Sequence, residues 1–458
     1  MSERLVVVGG DAAGMSAASQ ARRRRGADDL AITVFERGNY TSYSACGIPY
    51  FVGGVVEELD SLIARSPETF RRKLSIDARL GHDVTEIDVD RRAVRVRDHT
   101  GEHWEGFDQL VIATGAVPVR PAIDGVDAAG IYGVQTLDDG LAVRDALDDG
   151  RPRTAVVVGA GYIGLEMAEA LVQRGLQVSV VERSPQPMST LDPDMGAPLA
   201  EALQSIGITL YLGESVVGFE TRGGHVRAVR TEARTLPADL VVLGLGTRPN
   251  AALAQDAGIP TGVTGGIVTD RRMRTGVDGI WAAGDCVETV HRVSGRAVHI
   301  ALGTHANKQG RVAGINIGGG YATFPGVLGT AVTKICGIEV ARTGLGEREA
   351  EQAGFAYQVT VVDSTTRAGY YPGAAPIKTK LIAEQRSGRL LGAQIVGEEN
   401  AAKRIDALAV ALWNQMTVEE MSGLDLSYAP PFSPVWDPVL IAARKAAESI
   451  EATAAGRQ

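Results

Sequence analysis

The sequence predicts an α/β fold of two parallel-sheet units joined to a third unit of α+β type. Three features of the chain predict it. Apolar β-type runs alternate with helical patterns rich in Ala, Leu and Arg through about the first two thirds, as βαβ units require. Two of those units open with glycine-rich turns, beginning at Gly9 and at Gly159. From about Gly326 the pattern changes to strand-like runs at Thr330–Lys334, Tyr357–Asp363 and Lys378–Glu384. A helical stretch, Ala401–Asn414, and the Pro-rich tail Tyr428–Pro434 follow.

The first unit runs from the strand Leu5–Val8 through Gly9-Gly10-Asp11-Ala12-Ala13-Gly14 into a helix expected over Met15–Arg25. The second runs from Ala155–Val158 through Gly159-Ala160-Gly161-Tyr162-Ile163-Gly164 into a helix expected over Leu165–Gln173. In such a turn one glycine permits the tight bend, another lets backbone approach a pyrophosphate, and the last lets helix pack on strand. The helix N-terminus then faces the phosphates with its partial positive charge. Each unit also carries an acid at the end of its second strand, Glu36 after Ile32–Phe35 and Glu182 after Gln177–Val181, where a ribose hydroxyl is bonded. A lone glycine-rich turn often has a purely structural reason. Two, each with strand, helix and acid in order, predict two Rossmann-like dinucleotide-binding domains. Asp11 departs from the first pattern by standing where the second glycine belongs, which puts an acid beside a phosphate site.

Bulk composition narrows the function. A length of 458 residues suits two or three domains. The formal net charge of -9 argues against a nucleic-acid binder and against a polybasic membrane anchor, so an anionic ligand must be held locally. The first residues lead straight into the apolar stretch Leu5–Val8, and no apolar run reaches the roughly 20 residues of a membrane span, so a cytoplasmic protein without a signal peptide is expected. Three cysteines, Cys46, Cys286 and Cys336, lie far apart in sequence, which excludes a disulfide scaffold, a CxxC pair and a Cys-rich zinc site; no metal is expected. Any thiol chemistry falls to a single residue.

The two dinucleotide folds, with the runs Leu110-Val111-Ile112-Ala113-Thr114-Gly115, Gly246-Thr247-Arg248-Pro249-Asn250 and Gly279-Ile280-Trp281-Ala282-Ala283-Gly284-Asp285, resemble the flavoprotein pyridine nucleotide-disulfide oxidoreductases over nearly the whole chain. The resemblance implies one Rossmann-like domain for FAD, one for NAD(P)H and a C-terminal α+β dimerisation domain. It divides the chain into residues 1–120 with 245–325 for FAD, 121–244 for NAD(P)H, and 326–458 for dimerisation. The cofactor-binding residues it implies are Gly9, Gly10, Ala13, Gly14, Glu36, Arg37, Ser42, Ala113, Thr114, Gly115, Gly159, Gly161, Tyr162, Ile163, Gly164, Glu166, Glu182, Gly246, Gly284, Asp285 and Thr304. Among these, Asp285 bonds the flavin's ribityl chain, the helix near Thr304 points its N-terminus at the flavin pyrimidine, and Tyr162 and Glu166 gate and contact the nicotinamide. Glu182 favours NADH, because a carboxylate bonds a 2′-hydroxyl and repels a 2′-phosphate; Arg183 beside it leaves NADPH open.

Cys46 sits in Ser42-Tyr43-Ser44-Ala45-Cys46-Gly47-Ile48-Pro49-Tyr50, just past the first fold's acid. That stretch resembles the single-cysteine branch of the family, which includes coenzyme A-disulfide reductases, NADH peroxidases and NADH oxidases. A reactive cysteine needs a lowered pKa, and Ser42 is a candidate hydrogen-bond donor to it. Ala12 stands where oxygen- and peroxide-reducing members usually carry a histidine, so coenzyme A-disulfide reductase is the nearer resemblance. Tyr370-Tyr371-Pro372-Gly373 and Tyr428-Ala429-Pro430-Pro431 match segments whose tyrosines reach the partner's active site in those reductases, which assigns Tyr370 and Tyr428, with Tyr371 the alternative, to the catalytic set with Cys46. Arg22, in a run of four arginines, is a candidate contact for coenzyme A phosphates, with Ser42 also on the substrate side. The implied protein is a homodimeric NAD(P)H:disulfide oxidoreductase acting on coenzyme A disulfide. An oxidase or peroxidase cycling through a Cys46 sulfenic acid, a persulfide or polysulfide reductase, and a redox-sensing flavoprotein remain alternatives.

Overall fold

A computed structural model describes residues 2–150 and 152–455. Strands Glu3–Val8 (β1), Leu30–Glu36 (β2), Ile76–Leu80 (β3) and Gln109–Ile112 (β4) pair in parallel. The chain then leaves to build a second parallel sheet from Ile131–Gly133 (β5), Thr154–Val158 (β6), Gln177–Glu182 (β7), Thr209–Leu212 (β8) and Leu240–Leu243 (β9), in the order β8-β7-β6-β9-β5. On its return Ile280–Ala282 (β10) pairs in parallel with β4 and completes the first sheet as β10-β4-β1-β2-β3. The outward and return crossings, Ala116–Pro118 and Thr247–Pro249, form a two-stranded antiparallel ribbon. The apolar runs of both central strands, Leu5–Val8 and Ala155–Val158, are buried, as strands covered on both faces must be.

The C-terminal part is one antiparallel sheet of Ala331–Ile335 (β11), Ile338–Gly344 (β12), Tyr357–Thr365 (β13), Pro376–Glu384 (β14) and Leu390–Gly397 (β15), ordered β11-β12-β15-β14-β13. The expected helix over Ala401–Asn414 is a 3₁₀ turn, Ala402–Arg404, running into a helix at Ile405–Trp413. No helix among the described residues is long and apolar enough to cross a membrane.

Helix Ala12–Arg22 (α1) starts three residues before Met15 and ends three before Arg25, and Tyr162–Gln173 (α2) starts three before Leu165, because the last residues of each glycine-rich turn are already helical. Gly303–Ile317 (α3) packs on α1 so closely that a Cβ on Gly310 would run into Ala13 O and one on Gly314 into Ala17 O. The pairing 310 with 13 and 314 with 17 makes the two helices parallel, so both N-termini face the same side of the first sheet.

Gly310→Ala tests this packing. Overpacking of this kind costs about 1–3 kcal/mol, so a lower Tm in thermal unfolding is expected. Gly303→Ala, whose Cβ would meet nothing within 4 Å, is expected to leave Tm unchanged.

Candidate active site

The two glycine-rich turns are built alike, down to the same pair of hydrogen bonds. Glu36 Oε2 accepts from Gly10 N at 2.7 Å and Oε1 from Gly38 N at 2.7 Å. Glu182 Oε2 accepts from Ala160 N at 2.8 Å and Oε1 from Ser184 N at 2.8 Å. A carboxylate offers about four lone-pair directions, so each acid keeps acceptor capacity for a ribose. Gly9 and Gly159 hold φ of 108° and 102°, in the region that favours glycine, and a Cβ on either would strike the carbonyl of the adjoining strand's exit, Ala113 O or Gly244 O. A Cβ on Gly14 or Gly164 would collide with the oxygen of Gly9 or Gly159. Gly161 has open space beside it, and Ile163 is exposed at the same turn. These features fit a dinucleotide at each turn.

The other residues singled out in the first fold fall around its turn. Ala113, Thr114 and Gly115 leave β4 and are tied to the returning strand, with Thr114 Oγ1 donating to Asn250 O at 2.6 Å and Asn250 N donating to Gly115 O at 3.0 Å. Gly246 O accepts from Val119 N at 2.9 Å in the same crossing. Gly284 N donates to the buried Gln309 Oε1 at 2.8 Å, which pins the Gly284-Asp285 corner to α3 just past Thr304. Burial pushes the Asp285 carboxyl up, and His299, whose Nε2 lies 2.9 Å from Asp285 O, partly offsets it. Arg37 is exposed and lines a cavity of ≈ 260 Å³ with Arg120 and Gln135.

Cys46 lies in a 3₁₀ turn, Ala45–Gly47, leading into a short helix, Ile48–Val52. Its side chain is exposed, yet enough protein surrounds it that desolvation raises its pKa; the Glu166 carboxylate raises it further, and the residue's own N–H lowers it. Ser42 makes no hydrogen bond to it among the described residues, so the expectation of a Ser42 donor is corrected. Ser42 instead holds a left-handed φ of 48°, donates its N–H to Gly10 O at 3.0 Å and accepts from Ala64 N at 2.8 Å, shaping the loop that carries the cysteine. Glu166 reaches toward Cys46 from α2 and accepts from Thr333 Oγ1 at 2.7 Å; burial pushes its carboxyl up. The Tyr162 hydroxyl is buried; desolvation raises its pKa, and the Arg342 charge and the Thr190 side chain beside it lower it. The structure thus brings together side chains from both folds around one thiol: Cys46 feels the charge of Glu166, Asp285 and Asp11, and Tyr50 that of Glu166 and Cys46.

Tyr370 and Tyr428 also meet. They are exposed, their segments are joined by Ala368 N donating to Pro430 O at 3.1 Å, and a hydrogen bond to Tyr370 pushes the Tyr428 phenol up. No hydrogen bond joins either to Cys46 within one chain, among the described residues. Arg22 is a correction: its Nε donates to Leu74 O at 2.9 Å, Nη2 to Ser75 O at 3.1 Å and Nη1 to Arg25 O at 3.2 Å, so the guanidinium closes the C-terminal end of the helix Pro67–Leu74 rather than standing free for a phosphate. Sequence reasoning passed over Thr333, His299 and Gln309, whose partners Glu166, Asp285 and Gly284 stand on other elements of the chain. The structure also answers for Asp11. Its Oδ1 accepts from Tyr43 N at 3.1 Å, tying the first turn to the cysteine loop, and burial, with Glu36 and Asp285 adding, raises its pKa to about 6.

Residues 3–310 match the family model for pyridine nucleotide-disulphide oxidoreductases, and residues 330–438 match the model for that family's dimerisation domain. The chain is 42% identical over 441 residues to the CoA-dependent NAD(P)H sulfur oxidoreductase of Pyrococcus abyssi, spanning 96% of this chain and 97% of that one. It is 30% identical over 433 residues to the coenzyme A disulfide reductase of Staphylococcus haemolyticus, spanning 94% and 96%. The solved structure of an NAD-dependent persulfide reductase from A. fulgidus superposes with a TM-score of 0.95 at 40% identity, over 98% of this chain and 84% of that one.

Asp11 makes a prediction about pH. The unfolded chain ionises it near 3.8, whereas the folded chain keeps its proton to about 6, so stability is lost as pH rises between those values, by roughly 2–3 kcal/mol. Asp11→Asn keeps the acceptor for Tyr43 N and removes that loss. Its Tm is expected to exceed the wild-type value at pH 8, with a gap that narrows as pH falls toward 4; equal Tm at pH 8 would refute the raised pKa.

Proposed function

The chain belongs to the FAD-dependent pyridine nucleotide-disulphide oxidoreductase family, and we propose that within it the protein is an NAD(P)H-dependent reductase of coenzyme A disulfide, working as a homodimer through Cys46. The observation that carries this reading is the single exposed cysteine placed between the two dinucleotide folds, with Glu166 of one and Asp285 of the other facing it. Cys286 is fully buried, and Cys336 is half-buried with its thiol pushed up to about 12, so neither is a comparable nucleophile. In this reading residues 1–120 with 245–325 hold FAD, 121–244 hold the nicotinamide coenzyme, and 326–458 make the dimer.

FAD, when bound, relays the electron pair from the nicotinamide to sulfur. The residues around it do the rest. Gly9 to Gly14 and Gly159 to Gly164 would admit the two pyrophosphates, Glu36 and Glu182 would bond the riboses, and Asp285 with the start of α3 near Thr304 would hold the flavin. Tyr162, at the start of α2, is the side chain placed to swing aside and admit the nicotinamide. The Cys46 thiolate attacks one sulfur of the disulfide, forms a mixed disulfide and expels the first thiolate; the incoming electron pair then opens that bond, releasing the second thiol and restoring Cys46. Tyr370 and Tyr428 of the partner subunit, which lie beside each other, protonate the departing thiolate.

A second reading has its own support. The CoA-dependent sulfur oxidoreductase and the persulfide reductase are more similar to this chain than is the coenzyme A disulfide reductase. A persulfide presents the same sulfur–sulfur bond to Cys46, with sulfide rather than a thiol leaving.

Cys46→Ser is expected to lower NADH-dependent coenzyme A disulfide reduction by at least roughly 10³-fold while keeping NADH-to-dye transfer within about twofold. Retained disulfide turnover would overturn the reading. Run anaerobically, the wild-type assay with coenzyme A disulfide and then with coenzyme A persulfide separates the two substrates, and turnover with oxygen alone would make the protein an oxidase.

A further inference from the structure

The C-terminal sheet is bonded to the nicotinamide domain at four points, on β11, β12, β14 and β15. Thr333, on β11, donates to Glu166 as described. Arg342, on β12, donates from Nη1 to Thr190 O at 2.6 Å. The third point is Lys380, on β14, a charged side chain only 1% exposed. Its Nζ lies 2.6 Å from Asp194 Oδ1, 2.5 Å from Glu347 Oε1 and 3.1 Å from Asp192 Oδ2, so all three ammonium protons have acceptors. Gln394, on β15, donates from Nε2 to Asp192 Oδ2 at 2.8 Å and accepts from Asp192 N at 2.9 Å, while Asp192 Oδ1 accepts from Glu347 N at 3.1 Å.

Asp192, one of the acids this lysine gathers, ends a segment with a second attachment. Residues 183–192 lead away from Glu182, and along them Ser184 N donates to Glu182 Oε1 at 2.8 Å and Met188 N to Ala160 O at 2.8 Å. One stretch of chain therefore leans on the second glycine-rich turn and is bolted, a few residues later, to the C-terminal sheet. The three carboxylates lie within 4.8 Å of one another, and the lysine ammonium is the cation among them. Without it they repel, and the segment has reason to leave the sheet.

We infer that Lys380 is a positioning residue for the nicotinamide coenzyme: by drawing Asp192, Asp194 and Glu347 together it fixes the segment that supports the Gly159–Gly164 turn and Glu182. The inference rests on the reading that this turn holds NAD(P)H. Lys380→Met is expected to raise KM for NADH roughly tenfold. FAD content, and the rate at which dithionite-reduced enzyme is reoxidised by ferricyanide, should stay within about twofold of wild type. An unchanged KM in FAD-loaded Lys380→Met, or a KM and a reoxidation rate impaired together, would overturn it. If that variant does not fold, Asp194→Asn and Glu347→Gln, at side chains 44% and 37% exposed, decide: raised KM supports the inference and unchanged KM overturns it. Glu182→Ala is the separate control. A KM for NADH that ignores Glu182→Ala would discard the assignment of the coenzyme to this turn, whereas one that responds to Glu182 and ignores Lys380 would discard this inference alone.

Discussion

The close approach of α1 and α3 is the constraint on which the first fold depends. Two backbones can meet this way because Gly310 and Gly314 present no Cβ to the carbonyls of Ala13 and Ala17. The helices run parallel, so their dipoles are aligned side by side, an arrangement that is mutually unfavourable unless negative charge stands before both N-termini. A pyrophosphate at the first and a reduced flavin at the second would supply that charge. The corner at Gly284 is fastened to the same helix through Gln309, so the packing also fixes where Asp285 stands.

Around this arrangement the chain places more acid than a phosphate site would suggest. Asp11, Glu36 and Asp285 all bear on the first turn, and the net charge is -9. The structure copes by giving each a different treatment. Glu36 is neutralised in effect by two backbone N–H donors, Asp285 by burial offset with His299, and Asp11 by holding its proton to about pH 6. The Cys46 thiol sits in the same negative surroundings, so its ionisation has to be helped by what binds beside it rather than by Ser42, whose polar groups shape the loop.

Much of the fold was legible because it rests on local patterns. Strand, glycine turn, helix and acid follow one another within a few tens of residues at Gly9 and at Gly159, and both units are built as that order implies. The helix starts were misjudged by three residues because glycine reads as a turn even where it is already helical. What stayed hidden is long-range. Nothing near Arg22 in sequence reveals that its guanidinium closes a helix ending at Leu74, and nothing near Lys380 reveals carboxylates at 192, 194 and 347. Asp11 was visible as an anomaly, but its hydrogen bond to Tyr43 N and its retained proton are properties of burial, which only the folded chain has.

The clasp of Lys380, with Gln394, Arg342 and Thr333, bears on how the protein can move. Enzymes with two lobes commonly admit a coenzyme by rotating one lobe on a hinge. Here the second lobe is bolted to the C-terminal sheet through Thr333, Arg342, Lys380 and Gln394, and a hinge rotation would have to break all four contacts. Entry is left to smaller gates, such as the Tyr162 ring at the start of α2. Such a gate turns on the timescale of a single side chain rather than of a domain, so the catalytic cycle can open and shut without the distance between the two dinucleotide turns ever changing.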